Sequence, residues 1–321
     1  MKKIVIDSAV PYIKGLFEPY FDEVVYAPGA DIDAAMVRDA EALVIRTRTK
    51  CNVALLEGSA VKVIATATIG YDHIDREWCS AHGIATFNAP GCNADGVMEW
   101  VFAALNVFGR KRSLEGLTLG VIGVGQVGHR VADMGRRRGF RVLENDPPLQ
   151  AAGTDRELVD LDYLLKESDI VTIHIPLWPE NRDFADAAFF DRMKPGAIFL
   201  NASRGGIVDE AALLSHRDRL AGLAIDVWKG EPKINLDLLA AADIATPHIA
   251  GYTKVGKINA TVASVRTIAN FFDISSLLQF EIKHDFHPFN IEAYDILGDD
   301  ARLRSRPDDF ELLRTNYPLR G

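Results

Sequence analysis

The sequence predicts an α/β protein built from two doubly wound parallel-sheet domains and a short C-terminal appendage. Three observations carry that expectation. Short apolar runs alternate with segments of helical or turn character, the rhythm of βαβ units with helices on both faces of a sheet. The rhythm occurs twice along the chain, more strongly the second time. A glycine-rich turn stands at residue 123, so a nucleotide-binding domain begins about a third of the way along.

Composition bounds the classes that remain. With 321 residues, 48% hydrophobic and 25% charged, the chain suits one or two globular domains with proper cores. A formal net charge of −9 argues against general nucleic-acid binding, which needs a basic surface. The opening MKKIVID has no h-region, because Asp7 ends its apolar run and Pro11 follows. No apolar run approaches the length of a transmembrane helix. Cys51, Cys79 and Cys92 lack metal-ligand spacing. No metal site is expected; the thiols read as buried and structural, and the compartment as a reduced cytoplasm.

In order along the chain, KIVID (3–7), EVVYA (23–27), ALVIR (42–46), KVIATA (62–67) and IATF (84–87) read as strands. A longer helix is expected from about Ala94 to Val107. The second series comprises LTLGVIGV (117–124), RVLEND (141–146), DIVTIHI (169–175), AIFLNA (197–202), LAIDV (223–227) and DIAT (243–246). VGKINATVASVRTIANFF (255–272) has an amphipathic helical pattern. Beyond Ser275 the character changes: FEIKHDFHPF alternates, and a charged stretch runs to Gly321. The expected organisation is a substrate domain over 1–93 and 256–275, a nucleotide domain over 94–255, and an appendage over 276–321, on the chain's own domains or at a dimer interface.

Gly123-Val124-Gly125-Gln126-Val127-Gly128 fits G-x-G-x-x-G, after a strand pattern and before a helix pattern, which is the context its mechanism requires. The first glycine permits the tight turn, the second lets the backbone approach a pyrophosphate, and the third lets helix and strand pack closely. The helix N-terminus then offers N–H groups and partial positive charge. Asp146, 18 residues after Gly128, ends the second strand pattern. A carboxylate there accepts from both ribose hydroxyls and repels a 2′-phosphate, so NAD is favoured over NADP. His129, at the helix start, is expected neutral and solvated, without a catalytic task.

Three further stretches put reactive groups just beyond strand ends, where ligands of open α/β sheets bind. LNASRGGIVD carries Arg204, AIDVWKGEP carries Asp226 and Glu231, and ATPHIAGYT carries His248. Oxidising an alcohol needs a base for the hydroxyl proton and an acceptor for the hydride, and NAD supplies the acceptor. Histidine suits the base because it titrates near working pH. A neighbouring carboxylate orients it and favours its protonated form. An arginine can hold a carboxylate bidentately and polarise the reacting oxygen.

The succession GVGQVG, NASRGG, DVWKGEP and PHIAG resembles the D-isomer-specific 2-hydroxyacid dehydrogenases. The stretches VPY, RTRTKCN, TATIGYDHID, APGCNADGVMEWV and HIAGYTKVGK are most similar to a branch that oxidises a small phosphorylated 2-hydroxy acid in vitamin B6 synthesis. The match is close from residue 1 to about 273 and resumes weakly at YDILGDDARLR and DFELLRTNYPLR. The resemblance implies a flavodoxin-like substrate domain, a Rossmann NAD domain and a homodimer, with the helix from about Ala94 at or near its interface. It makes Arg204, Glu231 and His248 the catalytic set. It makes Asp146, Asp226, Gly251, Ala202, Ser203 and Arg204 cofactor contacts, beside the Gly123–Gly128 turn. It makes Thr47, Thr68 and Tyr252 substrate contacts. Ile175 stands where relatives carry a threonine, His129 where they carry an arginine, and the tail is shorter than that of long members. Two rivals are a phosphoglycerate or glycerate dehydrogenase and an NAD-sensing binding protein.

VIRTRTK (44–50) sets Arg46, Arg48 and Lys50 on alternate positions, one face of a strand if the strand continues. A solvated strand end is one reading. The other is an anion clamp. Arg46 and Thr47 follow one strand and Thr68 ends the next, so hydroxyls, loop N–H groups and a cation could seat a phosphate. Which of the three cations would meet it stays open.

Overall fold

The structure, a computed structural model, describes residues 2–321 and divides into two compact units. The first holds the residues up to Asn93, Thr253–Pro288 and Gly321; the second holds Ala94–Tyr252 and Phe289–Arg320. Among the described residues eleven strands form, one at each predicted run, with the strand Gly222–Ile225 starting one residue early.

In the first unit β1 (Lys3–Asp7), β2 (Glu23–Ala27), β3 (Ala42–Ile45), β4 (Val63–Thr66) and β5 (Ala85–Phe87) make a parallel sheet of order β2-β1-β3-β4-β5. This is the flavodoxin-like order, whose switch point lies between β1 and β3. Alternate residues feed two cores. Ile4, Ile6, Val44 and Val63 pack with Val265 and Ile268 of the helix Lys254–Phe271. Val5, Leu43, Ile45 and Ile64 pack on the other face with Cys51 and Cys79. Both faces are covered, so these strands read as continuous apolar runs. Burial pushes the Cys51 thiol up to about 12, an inert form. Cys92 is only partly buried, yet desolvation pushes its thiol up to about 12 as well.

In the second unit β6 (Thr118–Ile122), β7 (Arg141–Asn145), β8 (Ile170–Ile173), β9 (Ile198–Asn201), β10 (Gly222–Ile225) and β11 (Ile244–Ala245) are parallel, in the order β7-β6-β8-β9-β10-β11. The usual dinucleotide-binding order has a further strand outside β7. Here it survives as one parallel bridge, Glu144 with Leu158, reinforced by the Asn145 side chain donating to the Val159 carbonyl at 2.8 Å. The chain therefore reverses between β6 and β8, directly above the glycine turn. The helix Ala94–Gly109 is apolar almost all round and buries Trp100, Val101, Phe102 and Leu105 against one face of the sheet.

The tail packs on the chain's own units: Ile291 and Ile296 enter one core of the second unit, Leu303 and Phe310 the other, while residues up to Pro288 stay with the first unit. FEIKHDFHPF forms no strand. The cationic run also loses its face. β3 stops at Ile45, a turn covers Thr47 and Arg48, and Thr49 turns inward to donate to the Gly29 carbonyl at 2.9 Å.

Candidate active site

The glycine turn has the shape a pyrophosphate needs. Gly123 takes φ +82°, which a side chain would strain, and donates to the Asn145 carbonyl at 2.8 Å. A Cβ at Gly128 would stand 1.8 Å from the Gly123 carbonyl oxygen, whereas a Cβ at Gly125 would meet nothing within 4 Å. The turn is thus closed toward the sheet and open outward. Gln126 and Val127 complete it, and the helix Gly128–Arg137 that follows has no side-chain cap on its first turn. Those first-turn donors suit an anion, so the residues present fit a dinucleotide. Asp146, at the end of β7, accepts from Val124 N–H at 2.8 Å and from Leu149 N–H at 2.9 Å. Its carboxylate is held beside the turn while capping the helix Pro147–Ala152.

His129 is part-buried rather than fully solvated; its Nδ1 meets the Gly125 carbonyl at 2.8 Å and its Nε2 faces Arg130 at 3.3 Å. The Ile175 side chain lies against Gly123. His174, which the sequence did not single out, is held neutral: burial pushes its imidazole down to about 3, and Nε2 meets Thr172 Oγ1 at 3.0 Å.

The reactive groups follow β9, β10 and β11. Asn201 ends β9 and ties its loop, accepting from Ser203 Oγ at 2.8 Å and donating to the Arg204 carbonyl at 3.1 Å. Ala202 is buried beneath, and the Arg204 guanidinium donates to the Ser203 carbonyl at 2.8 Å. In the turn after β10, Glu231 Oε1 accepts from Trp228 N–H at 2.9 Å and Oε2 meets His248 Nδ1 at 2.8 Å. This contact engages Nδ1 and leaves Nε2 as the other ring nitrogen, not used by Glu231. Burial would push the Glu231 carboxyl up, but attraction to His248, their hydrogen bond, the Trp228 N–H and Arg314 together hold it below the usual range.

His248 has φ +57°, rare for a non-glycine residue. What fixes it there is Asp226. The Asp226 carbonyl accepts from His248 N–H at 2.7 Å. The wholly buried carboxylate accepts from Thr246 Oγ1 at 2.6 Å, Ile249 N–H at 2.8 Å and Ala250 N–H at 3.0 Å. Burial pushes this carboxyl up, opposed by His248 and by those donors. The Asp226 carboxylate, a cofactor contact by the family resemblance, builds the His248 loop through these bonds. From outside, Arg320 donates to the Ile249 and Ala250 carbonyls and pairs with Glu99 at 2.7 Å. Gly251 and Tyr252 continue the loop, the Tyr252 ring edge-on to Tyr317 with centroids 6.2 Å apart. Arg320, Glu99 and Arg314 escape local sequence reasoning, since no periodicity links them to residue 248.

In the first unit β3 and β4 run in register, Ile45 opposite Thr66, and Ala67 N–H donates to the Ile45 carbonyl at 2.9 Å. Thr47 and Thr68 therefore leave adjacent strand ends. Thr47 is exposed. Thr68 Oγ1 lies 2.8 Å from Thr66 Oγ1, which meets His73 Nε2 at 3.0 Å. Arg46 bends toward β1, donating to the Ala9 carbonyl at 3.3 Å across the switch point, with its buried Nε unpartnered. Among the described residues no acidic, histidine and cysteine cluster suits a metal, and no helix is long and apolar enough to cross a membrane.

A glycine turn at a switch point, with an arginine and a His–Glu pair on the same sheet edge, defines a nucleotide-dependent oxidoreductase of the doubly wound class. Residues 99–250 match the D-isomer specific 2-hydroxyacid dehydrogenase, NAD binding domain. The chain is 43% identical to the erythronate-4-phosphate dehydrogenase of Bacteroides thetaiotaomicron over 99% of its own length and 96% of the relative's. It is 37% identical to that of Escherichia coli O157:H7, over 98% and 90%. The NAD+-bound 3-phosphoglycerate dehydrogenase of Entamoeba histolytica superposes with a TM-score of 0.73 at 27% identity, covering 89% of this chain and 99% of that one. The chain belongs to the erythronate-4-phosphate dehydrogenases, within the D-isomer-specific 2-hydroxyacid dehydrogenase family. It is an NAD-dependent dehydrogenase.

Proposed function

We propose that the protein oxidises the 2-hydroxyl of 4-phospho-D-erythronate to the 2-oxo acid, (R)-3-hydroxy-2-oxo-4-phosphooxybutanoate, in vitamin B6 biosynthesis. The observation that carries this reading is the His248–Glu231 contact of 2.8 Å, on a sheet edge that also bears Arg204 and the glycine turn. The glycine turn and Asp146 would hold NAD, which would supply the acceptor for the C2 hydride. His248 Nε2 takes the hydroxyl proton. Glu231 holds the tautomer by accepting from Nδ1–H and favours the imidazolium that results. Arg204 binds the substrate carboxylate and polarises the reacting oxygen. Ala202, Ser203 and Gly251 supply backbone beside the cofactor, and Asp146 takes the adenosine ribose.

Thr47, Thr68 and Arg46 receive the phosphate, with Tyr252 as a further substrate contact. The adjacent ends of β3 and β4, next to the switch point, and the unpartnered Arg46 Nε support that assignment. The test is NADH formation with 4-phosphoerythronate, 3-phosphoglycerate and glycerate. The phosphoerythronate should exceed the other two in kcat/KM, and a preference for either of them would reject the substrate.

The same reading makes the protein a cytoplasmic homodimer. Its free, high-pKa thiols suit reducing surroundings. The helix Ala94–Gly109 is mostly buried within its own unit, so its outer residues Asn106 and Val107, beside a cleft of about 660 Å³, are the part left for a partner. Light scattering at micromolar protein should return twice the chain mass; a monomer rejects the assembly.

A further inference from the structure

We infer that Arg314 is a positioning residue for the acid–base pair: it shares the Glu231 oxygen that His248 uses, and so limits how strongly Glu231 favours a protonated imidazole. This rests on the reading of His248 and Glu231 as that pair. Arg314 Nη1 lies 3.5 Å from Glu231 Oε2, the oxygen that His248 Nδ1 meets at 2.8 Å, while Oε1 is taken by Trp228 N–H. One carboxylate oxygen therefore serves the backbone and the other serves two basic groups.

The arginine is held in place. It lies on the helix Phe310–Thr315, whose first residue is wholly buried in the core of the second unit. Its Nη2 is 3.3 Å from Glu311. Its side chain keeps 21% exposure, so its field at Glu231 is only partly screened by water. Further along the same tail, Arg320 holds the carbonyls of Ile249 and Ala250. The tail thus reaches Glu231 through charge and, through the backbone, the two residues that follow His248.

Other charged groups surround the pair. Buried Asp226 lies behind His248. Glu210 accepts from Lys229 N–H at 2.8 Å, and the Lys229 ammonium pairs with Asp183 at 2.7 Å. Arg204 stands on the neighbouring strand end, and Glu311 partly offsets Arg314. Two carboxylates, Asp226 and Glu231, are each attracted to the imidazole. Oxidation requires that imidazole neutral before it takes the substrate's proton, and a fixed cation on the shared oxygen opposes early protonation.

The experiment measures kcat/KM against pH, in both reaction directions, for wild type, Arg314→Gln, Arg314→Lys and Glu311→Gln. NAD affinity and Tm check the fold. In Arg314→Gln the acid limb of oxidation should move toward higher pH, so that efficiency at pH 6 relative to the plateau falls about threefold. The basic limb of reduction should move the same way. Arg314→Lys should restore the wild-type limbs. Glu311→Gln should move them oppositely, and it decides the matter if Arg314→Gln does not fold. Limbs that superpose, whatever the plateau heights, would reduce Arg314 to a structural contact.

An NMR titration of the His248 imidazole, identified by its loss in His248→Asn, reads the same shift without turnover. If the wild type fails to oxidise phosphoerythronate, the substrate reading falls while this titration still decides on Arg314. A midpoint unmoved by Arg314→Gln rejects the inference.

Discussion

The two sheets present similar carboxyl edges and use them differently. In the first unit the chain leaves β3 at Arg46 and turns at once, exposing Thr47 and Arg48; Arg46 itself makes one long hydrogen bond of 3.3 Å. In the second, Glu231 is fixed through both oxygens, and the His248 loop is held by Asp226 within and Arg320 without. If the first edge takes the phosphate, as proposed, it meets a ligand that asks only for donors and positive charge, and a loose seat suffices. Proton transfer needs one nitrogen at one distance, so its support must be rigid. The difference teaches which edge tolerates change: graded losses belong to the first, abrupt ones to the second.

The abrupt case is His248→Asn. Turnover should fall by about two to four powers of ten, the usual worth of a positioned acid–base group, with NAD affinity nearly unchanged in a fluorescence titration. A variant keeping most of its activity would remove the contrast. Next comes Asp146→Asn, which keeps the cap acceptor but removes the charge. The preference for NAD over NADP in kcat/KM should shrink by about tenfold or more; an unchanged ratio would place Asp146 away from the ribose.

On the softer edge, the double variant Thr47→Val/Arg46→Ala should lower the preference for phosphorylated over unphosphorylated erythronate by about tenfold. Equal losses with both substrates would make the segment a support of the fold. The smallest effect concerns acid stability. Glu231 titrates below its unfolded value, so its contribution is present above about pH 4.5 and is lost as pH falls through the folded value. The Tm difference between wild type and Glu231→Gln should therefore narrow on acidification from pH 6 to pH 3. A constant gap would show that the pair adds no pH-linked stability.

Much of this was legible in the sequence because it is local. Each strand announced itself as an apolar run bounded by turn residues, and Arg204, Glu231 and His248 were singled out because ligands gather beyond strand ends. The failures share one cause. Leu158 makes a one-residue strand, which has no periodicity to detect. Arg314 and Arg320 reach Glu231 and the His248 loop from about 70 residues or more away, a pairing set by tertiary packing rather than pattern. RTRTK has strand-like alternation, but Thr49 turns inward to a buried hydrogen bond with Gly29, 20 residues away, a partner no local pattern shows.

The double grip on Ile249 and Ala250 has a consequence for exchange with solvent. Each of these residues donates its N–H to Asp226 and offers its carbonyl to Arg320. Loop amides usually swap their hydrogens for deuterium through small local fluctuations. Here neither amide can open without releasing a buried carboxylate, and each residue's carbonyl is pinned by a guanidinium anchored in another part of the chain. Ile249 and Ala250 should therefore exchange on the timescale of the central strands, as an island of slow amides in a segment with no ladder partner.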